Sequence, residues 1–395
     1  MRKEKRAVAI IWMENMILVV LALYLGRSLL SHILTWCNLR RKKHPASPET
    51  NLPPISIIKP VRGLDQEAEE NFRSFIAADY PAAFELIFCV EERDDPAVPL
   101  IERLIAEAGP SSKARLIFSE RHDQSEMGKT LNLIAGVGES KHDFLIFSDS
   151  DTRNNPGFLA DLVRPLLNSE TGMSYACPVY KGARNWVAGM MALAIDETIL
   201  ALATAPASTA IGSAMAIRNK VLDAIGGLAP LRHRVGIDAA LGRAVCAKGY
   251  RIALIRRPVT VIHRDSSFRS WWRQMHRWLV TIRRYVGPAY LFIPFFGFPA
   301  FWGSLYLLLS ILQGKAIHGL AVWSLVLAAR FGSLTLVNLF FAKDGRLWRY
   351  LWLAPMLDFL QIPLWLEACL NPCVTWRGRK FRVMRDATIE QVSNY

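Results

Sequence analysis

The chain has 395 residues, 52% of them hydrophobic and 21% charged; that length exceeds one compact core, and that composition excludes a disordered chain. Forty-eight Lys and Arg against 34 Asp and Glu leave a formal charge of +14, which suits a nucleic acid, an anionic lipid or a phosphate-bearing substrate and alone selects none of them. The cysteines, Cys37, Cys89, Cys177, Cys246, Cys369 and Cys373, are scattered through apolar stretches and form no CxxC pair, so neither a disulfide framework nor a cysteine zinc site is indicated and a reducing compartment fits best.

From Ala7 to about Leu34 runs an apolar stretch interrupted by Glu14, Asn15 and Arg27. It is flanked by Arg2, Lys3, Lys5 and Arg6 before it and by Arg40, Arg41, Lys42 and Lys43 after it. The stretch is longer than the apolar part of a signal peptide and has no small-x-small cleavage site, so it predicts a retained membrane anchor. Residues 1–50 are therefore expected to be an anchor followed by a basic linker.

Residues 51–285 change character. Ile55–Val61, Glu85–Val90, Arg115–Ser119 and Phe144–Ser148 are apolar runs of strand length, and between them Glu67–Ala77, Val98–Ala108 and Lys129–Val137 carry helical spacing. This alternation predicts an α/β sheet, whose ligands bind beyond the carboxyl ends of the strands. Acidic residues stand there: Glu91, Glu92, Asp94 and Asp95 after the second run, and Asp149-Ser150-Asp151 after the fourth. Two carboxylates one residue apart can hold a hard divalent cation that bridges a diphosphate. The same triplet can be a solvated turn or a helix cap, but its position after a buried strand favours the cation.

Farther on, Asp238 precedes the helical stretch Ala239 to Cys246, where a carboxylate commonly acts as a cap. The segment Gln274-Met275-His276-Arg277-Trp278 lies among Trp271, Trp272, Arg273, Arg283 and Arg284. It reads both as a phosphate grip and as an interfacial helix on anionic headgroups. Trp186 to Leu202 is apolar enough for an interface, where it would frame lateral entry of a lipid with the Trp271–Trp278 stretch, and it reads equally as a packed helix. His233 and His276 show no metal-ligand spacing, and His263-Arg264-Asp265 stands without the glycine-rich loop of a kinase.

Three further apolar blocks, Pro288 to Leu312, Ile317 to Ala342 and Leu347 to Leu370, predict a membrane region over 286–376, with two to four full crossings. The tail 377–395 is basic (Arg377, Arg379, Lys380, Arg382, Arg385), which places it on the cytoplasmic side. With the middle domain on that side too, the number of crossings between them must be even, so a re-entrant segment or a fourth crossing is expected.

The ordered set of Lys59-Pro60-Val61-Arg62-Gly63, Asp94-Asp95-Pro96, Asp149-Ser150-Asp151, Asp238 and Gln274-x-x-Arg277-Trp278 resembles the lipid-directed nucleotide-sugar transferases, above all the ceramide glucosyltransferases of glycosyltransferase family 21. Asp79-Tyr80-Pro81 and Thr375-Trp376-Arg377-Gly378-Arg379 are similar to that family as well. The resemblance implies a GT-A-like catalytic domain, a UDP-sugar donor (UDP-glucose), a divalent cation (Mg2+ or Mn2+) and a ceramide-type acceptor, with inversion at the sugar carbon. It also implies roles. Asp95 meets the uridine; Lys59, Lys129 and Asp149 lie at the donor; Asp151 faces the metal; Asp238 is the base; Gln274, Arg277 and Trp278 secure diphosphate and acceptor. Many relatives have an acidic residue before the base where this chain has Ile237.

The expected location is a bacterial cytoplasmic membrane, spanned several times, with the catalytic domain facing the cytoplasm and without nucleic acid or an obligate protein partner. Hopanoid-linked N-acetylglucosamine transferases share the motifs. A polymerising synthase would need more membrane helices, and a membrane-anchored binding or scaffold protein would have no reason to carry all five motifs.

Overall fold

The computed structural model describes residues 2–40, 51–110, 112–121, 126–203, 205–376 and 378–392; the basic run Arg41 to Lys43 and Arg377 lie outside them. The chain forms two compact units that interleave along the sequence. One comprises Met1–Asn38, Ala183–Thr204 and Asp265–Pro372, the other Leu39–Gly182, Ala205–Arg264 and Cys373–Tyr395. Residues 183–204 and 265–285, inside the range expected for the catalytic domain, thus belong with the apolar helices. The basic tail belongs with the α/β unit.

The α/β unit contains the described strands β1 (Ile55–Val61), β2 (Phe84–Val90), β3 (Ala114–Phe118), β4 (Phe144–Ser148), β5 (Thr152–Arg153), β6 (Thr171–Tyr175), β7 (Pro178–Lys181), β8 (Ala214–Arg218), β9 (Arg251–Leu254), β10 (Val259–Ile262), β11 (Cys373–Trp376), β12 (Arg379–Val383) and β13 (Ile389–Gln391). Seven form one sheet in the order β3-β2-β1-β4-β8-β6-β9. Strands β3, β2, β1 and β4 run parallel, whereas β8 is antiparallel to both β4 and β6. β1 and β2 are buried along their whole length, as strands covered on both faces must be. Pro60 is tolerated in a central strand because the β1–β4 ladder has already ended at Ile58, opposite Phe147, so no pairing is lost on that side.

Helix Gly128–Gly138 packs on β1 and β2 at very short range: a Cβ on Gly136 would lie 2.3 Å from the Ile58 side chain and 2.9 Å from Cys89 Sγ. Glycine there seats the helix and places Lys129 at its start. A second sheet, β5-β10-β7, grows directly from the acidic triplet, with Ile262 N–H donating to the Asp151 carbonyl at 3.2 Å. The tail forms the sheet β11-β12-β13, and its chain bonds to the segment before Asp238: Val235 N–H donates to the Ala387 carbonyl, and Ile389 N–H to that of His233.

In the other unit, among the described residues, three helices are long and apolar enough to cross a membrane: Ala9–Cys37, Ala316–Ala342 and Leu347–Leu370. A bent pair, Phe268–Gly297 with Pro299–Leu312, turns by 58° and raises the number to four if it counts as one span. The break is satisfied by side chains from other helices. Arg27 donates to the freed Phe296 carbonyl at 2.9 Å, and Asp358 accepts from Ala300 N–H at 2.9 Å, as backbone groups in apolar surroundings require. Asp358 also pairs at 2.7 Å with buried Arg330, which contacts Glu197 as well. Helix Trp186–Asp196 is buried over most of its length and capped by Asn185, with Trp186 exposed and stacked on Phe268.

Candidate active site

The carboxyl ends of β1, β2 and β4 and the start of β8 bring together groups that are far apart in the sequence. After β4 the chain turns through Asp149-Ser150-Asp151, and this turn is held from below. Lys59, fully buried on β1, lays its ammonium over the Phe75 ring, 3.9 Å from its centroid. It donates to the Asp149 carbonyl at 2.6 Å and to Thr152 Oγ1 at 3.1 Å. Burial pushes the Lys59 pKa down to about 7, against the pull of the Asp151, Asp149 and Asp65 carboxylates. Lys59 therefore shapes the turn of the triplet from within the core, and its hydrogen bonds are directed at protein atoms.

Lys129 stands on the other side of the triplet. Its Nζ lies 2.5 Å from Asp149 Oδ1 and donates to the Gly212 carbonyl at 3.2 Å. Burial works against its charge, but Asp149, Asp238 and Asp151 outweigh burial and hold its pKa above the usual lysine value. Asp149 is thus paired with a cation. Asp151 is not: its Oδ1 is buried without a hydrogen-bond partner, and burial, with Asp149 and Asp65 nearby, raises its pKa well above the carboxylate range. A buried, orphaned carboxylate oxygen of this kind needs a cation or a proton.

Asp238 reaches the same place through two glycines. Helix Ile237–Ala247 begins after Gly236, whose φ of 66° is left-handed. Gly242 lets this helix approach the loop before β8, since a Cβ there would lie 2.7 Å from the Ser208 carbonyl oxygen. At Gly212 a Cβ would lie 2.7 Å from Asp238 Cβ and 3.1 Å from its Oδ2. The Asp238 carboxylate therefore rests against the residue whose carbonyl receives Lys129. Burial raises its pKa, opposed by Lys129 and by the amides of Ala239 and Asp238 itself. Ile237 is buried in the core, so Asp238 is the carboxylate presented at this helix start. Gly212→Ala must push the Asp238 carboxylate away; because displacements near 1 Å can cost about 10²-fold in rate, transfer is expected to fall by about that factor with the fold retained by circular dichroism.

Asp95 is buried beside this cluster and acts on backbone. It accepts from Gly63 N–H at 2.8 Å and from Ala97 N–H at 2.8 Å, pinning the loop after β1. With Arg62, Gly63, Glu92, Asp94 and Pro96 it lines a surface pocket of about 320 Å³. Gln274, Arg277 and Trp278 lie on helix Phe268–Val286 of the other unit, half-buried, at the i, i+3, i+4 spacing that shares one face.

Sequence reasoning passed over Asp65 and Gly212, and placed Glu91 at a strand end without giving it a role. Asp65 accepts from the Ser150 hydroxyl and so ties the middle of the triplet to the loop after β1. Glu91 is clamped by Arg121 at 2.5 Å, with Arg62 and the tail's Arg379 at 3.8 and 3.6 Å. The one signal for Asp65 was its place two residues after the Lys59-to-Gly63 motif.

The donor chemistry fits a divalent cation: hard carboxylate oxygens, one of them orphaned and buried. Among the described residues no three His, Cys, Asp or Glu side chains form a ready ligand group. Such a cation would be held by one or two carboxylates and complete its shell with phosphate oxygens and water.

The family model of glycosyl transferase family 21 matches residues 17–389. The chain is 21% identical over 375 residues to ceramide glucosyltransferase 1 of Caenorhabditis elegans, covering 92% of this chain and 79% of that protein. Over 121 residues it is 32% identical to a ceramide glucosyltransferase of Komagataella phaffii, covering 31% of this chain and 22% of that one. A mannosyltransferase from Pyrobaculum calidifontis, in complex with GDP-Man and Mn2+, shares the fold with TM-score 0.52 at 16% identity, over 90% of this chain and 99% of that chain. With a GT-A-like α/β unit, apolar helices of spanning length and a family match across nearly its whole extent, the chain belongs to glycosyltransferase family 21 and is a glycosyltransferase.

Proposed function

We propose that the protein transfers glucose from UDP-glucose to the hydroxyl of a ceramide-type lipid in a single displacement that inverts the sugar carbon. The observation that carries this reading is the convergence of Asp149, Asp151 and Asp238 around Lys129. One acidic pair suits a cation and diphosphate, and a third carboxylate stands apart from it as a base. The ceramide acceptor is proposed because curated relatives carry that name.

In this mechanism the pocket at Arg62, Asp94 and Asp95 receives the uridine, and Asp95 keeps its Gly63 edge in place. Lys59 fixes the turn that aims Asp149 and Asp151. Asp151, with Asp149 beside it, would hold Mg2+ or Mn2+, and the ion would supply positive charge to the diphosphate leaving group. Lys129 adds a fixed positive charge on the same side. Asp238 takes the proton from the acceptor hydroxyl as that oxygen attacks the anomeric carbon. Gln274, Arg277 and Trp278 are assigned to diphosphate and acceptor on the strength of the motif and their common helix face, Arg277 as a fork for phosphate oxygens. The proposed location is a bacterial cytoplasmic membrane with the α/β unit in the cytoplasm, supported by the basic tail and the six free cysteines.

The test is to incubate purified protein with radiolabelled UDP-glucose or UDP-N-acetylglucosamine, each against ceramide and hopanoid acceptors. Labelled glucosylceramide dependent on Mg2+ or Mn2+ is expected. Transfer only of N-acetylglucosamine, or only to a hopanoid, would replace the proposed substrates.

A further inference from the structure

We infer that Leu347–Leu370, although long and apolar enough to cross the bilayer, does not cross it and lies in the leaflet adjoining the α/β unit, its exposed face among the acyl chains of that leaflet. The α/β unit is one compact body built from 39–182, 205–264 and 373–395. The last of these is bonded into it, by Val235 to Ala387, by Ile389 to His233 and by Arg379 against Glu91. A body in water lies on one side of a membrane, so the chain from 265 to 372 must cross an even number of times. It holds three candidates: the bent pair ending at Leu312, Ala316–Ala342 and Leu347–Leu370. One of them stays on the near side.

Packing within the membrane unit identifies which. Pro299–Leu312 and Ala316–Val337 form a close antiparallel hairpin around the Gly314 turn. Gly303 lies against Val326, and Gly319 sits so near that a Cβ there would be 2.6 Å from Ser310. These two helices cross together or not at all. Leu347–Leu370, by contrast, has both ends on residues close to where the chain leaves the α/β unit. At its start, the Tyr350 hydroxyl donates to the Ala183 carbonyl and its ring occupies the space a Cβ on Gly189 would need. At its end, Trp272 Nε1 donates to Glu367 at 2.7 Å, and Arg283 donates to the Ala368 carbonyl at 2.7 Å. Its middle packs against the hairpin, where Asp358 accepts from Ala300 N–H and pairs with Arg330.

A helix crossing ~30 Å of hydrocarbon cannot have both ends at one surface. The side-chain pattern agrees. Trp348, Trp352, Phe359, Leu366 and Leu370 are exposed, Leu353, Ala354, Leu357, Leu364 and Ala368 are buried, and exposed Arg346 and Arg349 stand beside the two tryptophans. The exposed face is apolar, as a face among acyl chains must be, and Trp with Arg at its start are the residue types of the membrane–water interface.

The test uses a cysteine-free full chain in sealed membrane vesicles, carrying a single cysteine at Gly345, Asn371 or Lys315 and labelled with an impermeant maleimide. Gly345→Cys and Asn371→Cys are expected to label from the face that bears the α/β unit, marked by Lys248→Cys, and Lys315→Cys from the opposite face. Labelling of Gly345→Cys and Asn371→Cys from opposite faces would overturn the inference. Trypsin applied to the unaltered chain gives an independent reading: cleavage after Arg346 from the α/β face supports it, and cleavage there only from the other face refutes it.

Discussion

Asp238→Asn is expected to lower glycosyl transfer by about 10³-fold while UDP binding, measured by calorimetry, stays within a factor of two or so. In the proposed mechanism the carboxylate accepts the proton, so an amide of the same shape would keep the contact with Gly212 and lose the chemistry. The pH profile carries the same assignment. Asp238 must be ionised to act, and burial raises its pKa while Lys129 restrains the rise. The rate should therefore climb with pH through a point above the ordinary carboxylate range, and that limb should vanish from the residual rate of the Asn variant. Undiminished turnover in the variant would reassign the base.

The second large effect concerns the membrane unit. Arg330 is buried and pairs with Asp358, which is fully buried, and with Glu197. Arg330→Met leaves Asp358 without its cation, and breaking a buried pair from one side typically costs about 3–5 kcal/mol. Thermal unfolding of the detergent-solubilised protein should show a corresponding loss. Adding Asp358→Asn removes the stranded charge and keeps an oxygen for the Ala300 amide, so the double variant is expected to recover more than half of that loss. A double variant no more stable than the single one would mean that the pair contributes through packing alone.

The four strands read from apolar runs are present, two with the same ends and two displaced by a single residue at the start or at both ends; the three helices between them agree to within a residue or so. Each is a local pattern of apolar spacing bounded by turns, and such patterns survive in any arrangement of the sheet. The acidic triplet was legible for the same reason, because its meaning depends on the strand immediately before it. Asp238 was legible only through its company of motifs, since a carboxylate at a helix start has a simpler use as a cap. Asp65 and Gly212 gave no comparable signal: what they do depends on Ser150 and Asp238, which lie 85 and 26 residues further along the chain.

From the order of its residues alone, this protein has an apolar first helix, alternating strands and helices, acids at strand ends and apolar blocks before a basic tail. These follow from short-range spacing and from the preference of each side chain for water or hydrocarbon. The antiparallel course of β8, the turning of Lys59 into the core beneath Asp149, the meeting of Asp238 with Gly212 and the return of the tail onto the α/β unit were decided by the tertiary structure. Each depends on which distant segment comes to lie alongside. That is a matter of close packing and of satisfying every buried charge and amide at once, and no local stretch of sequence contains it.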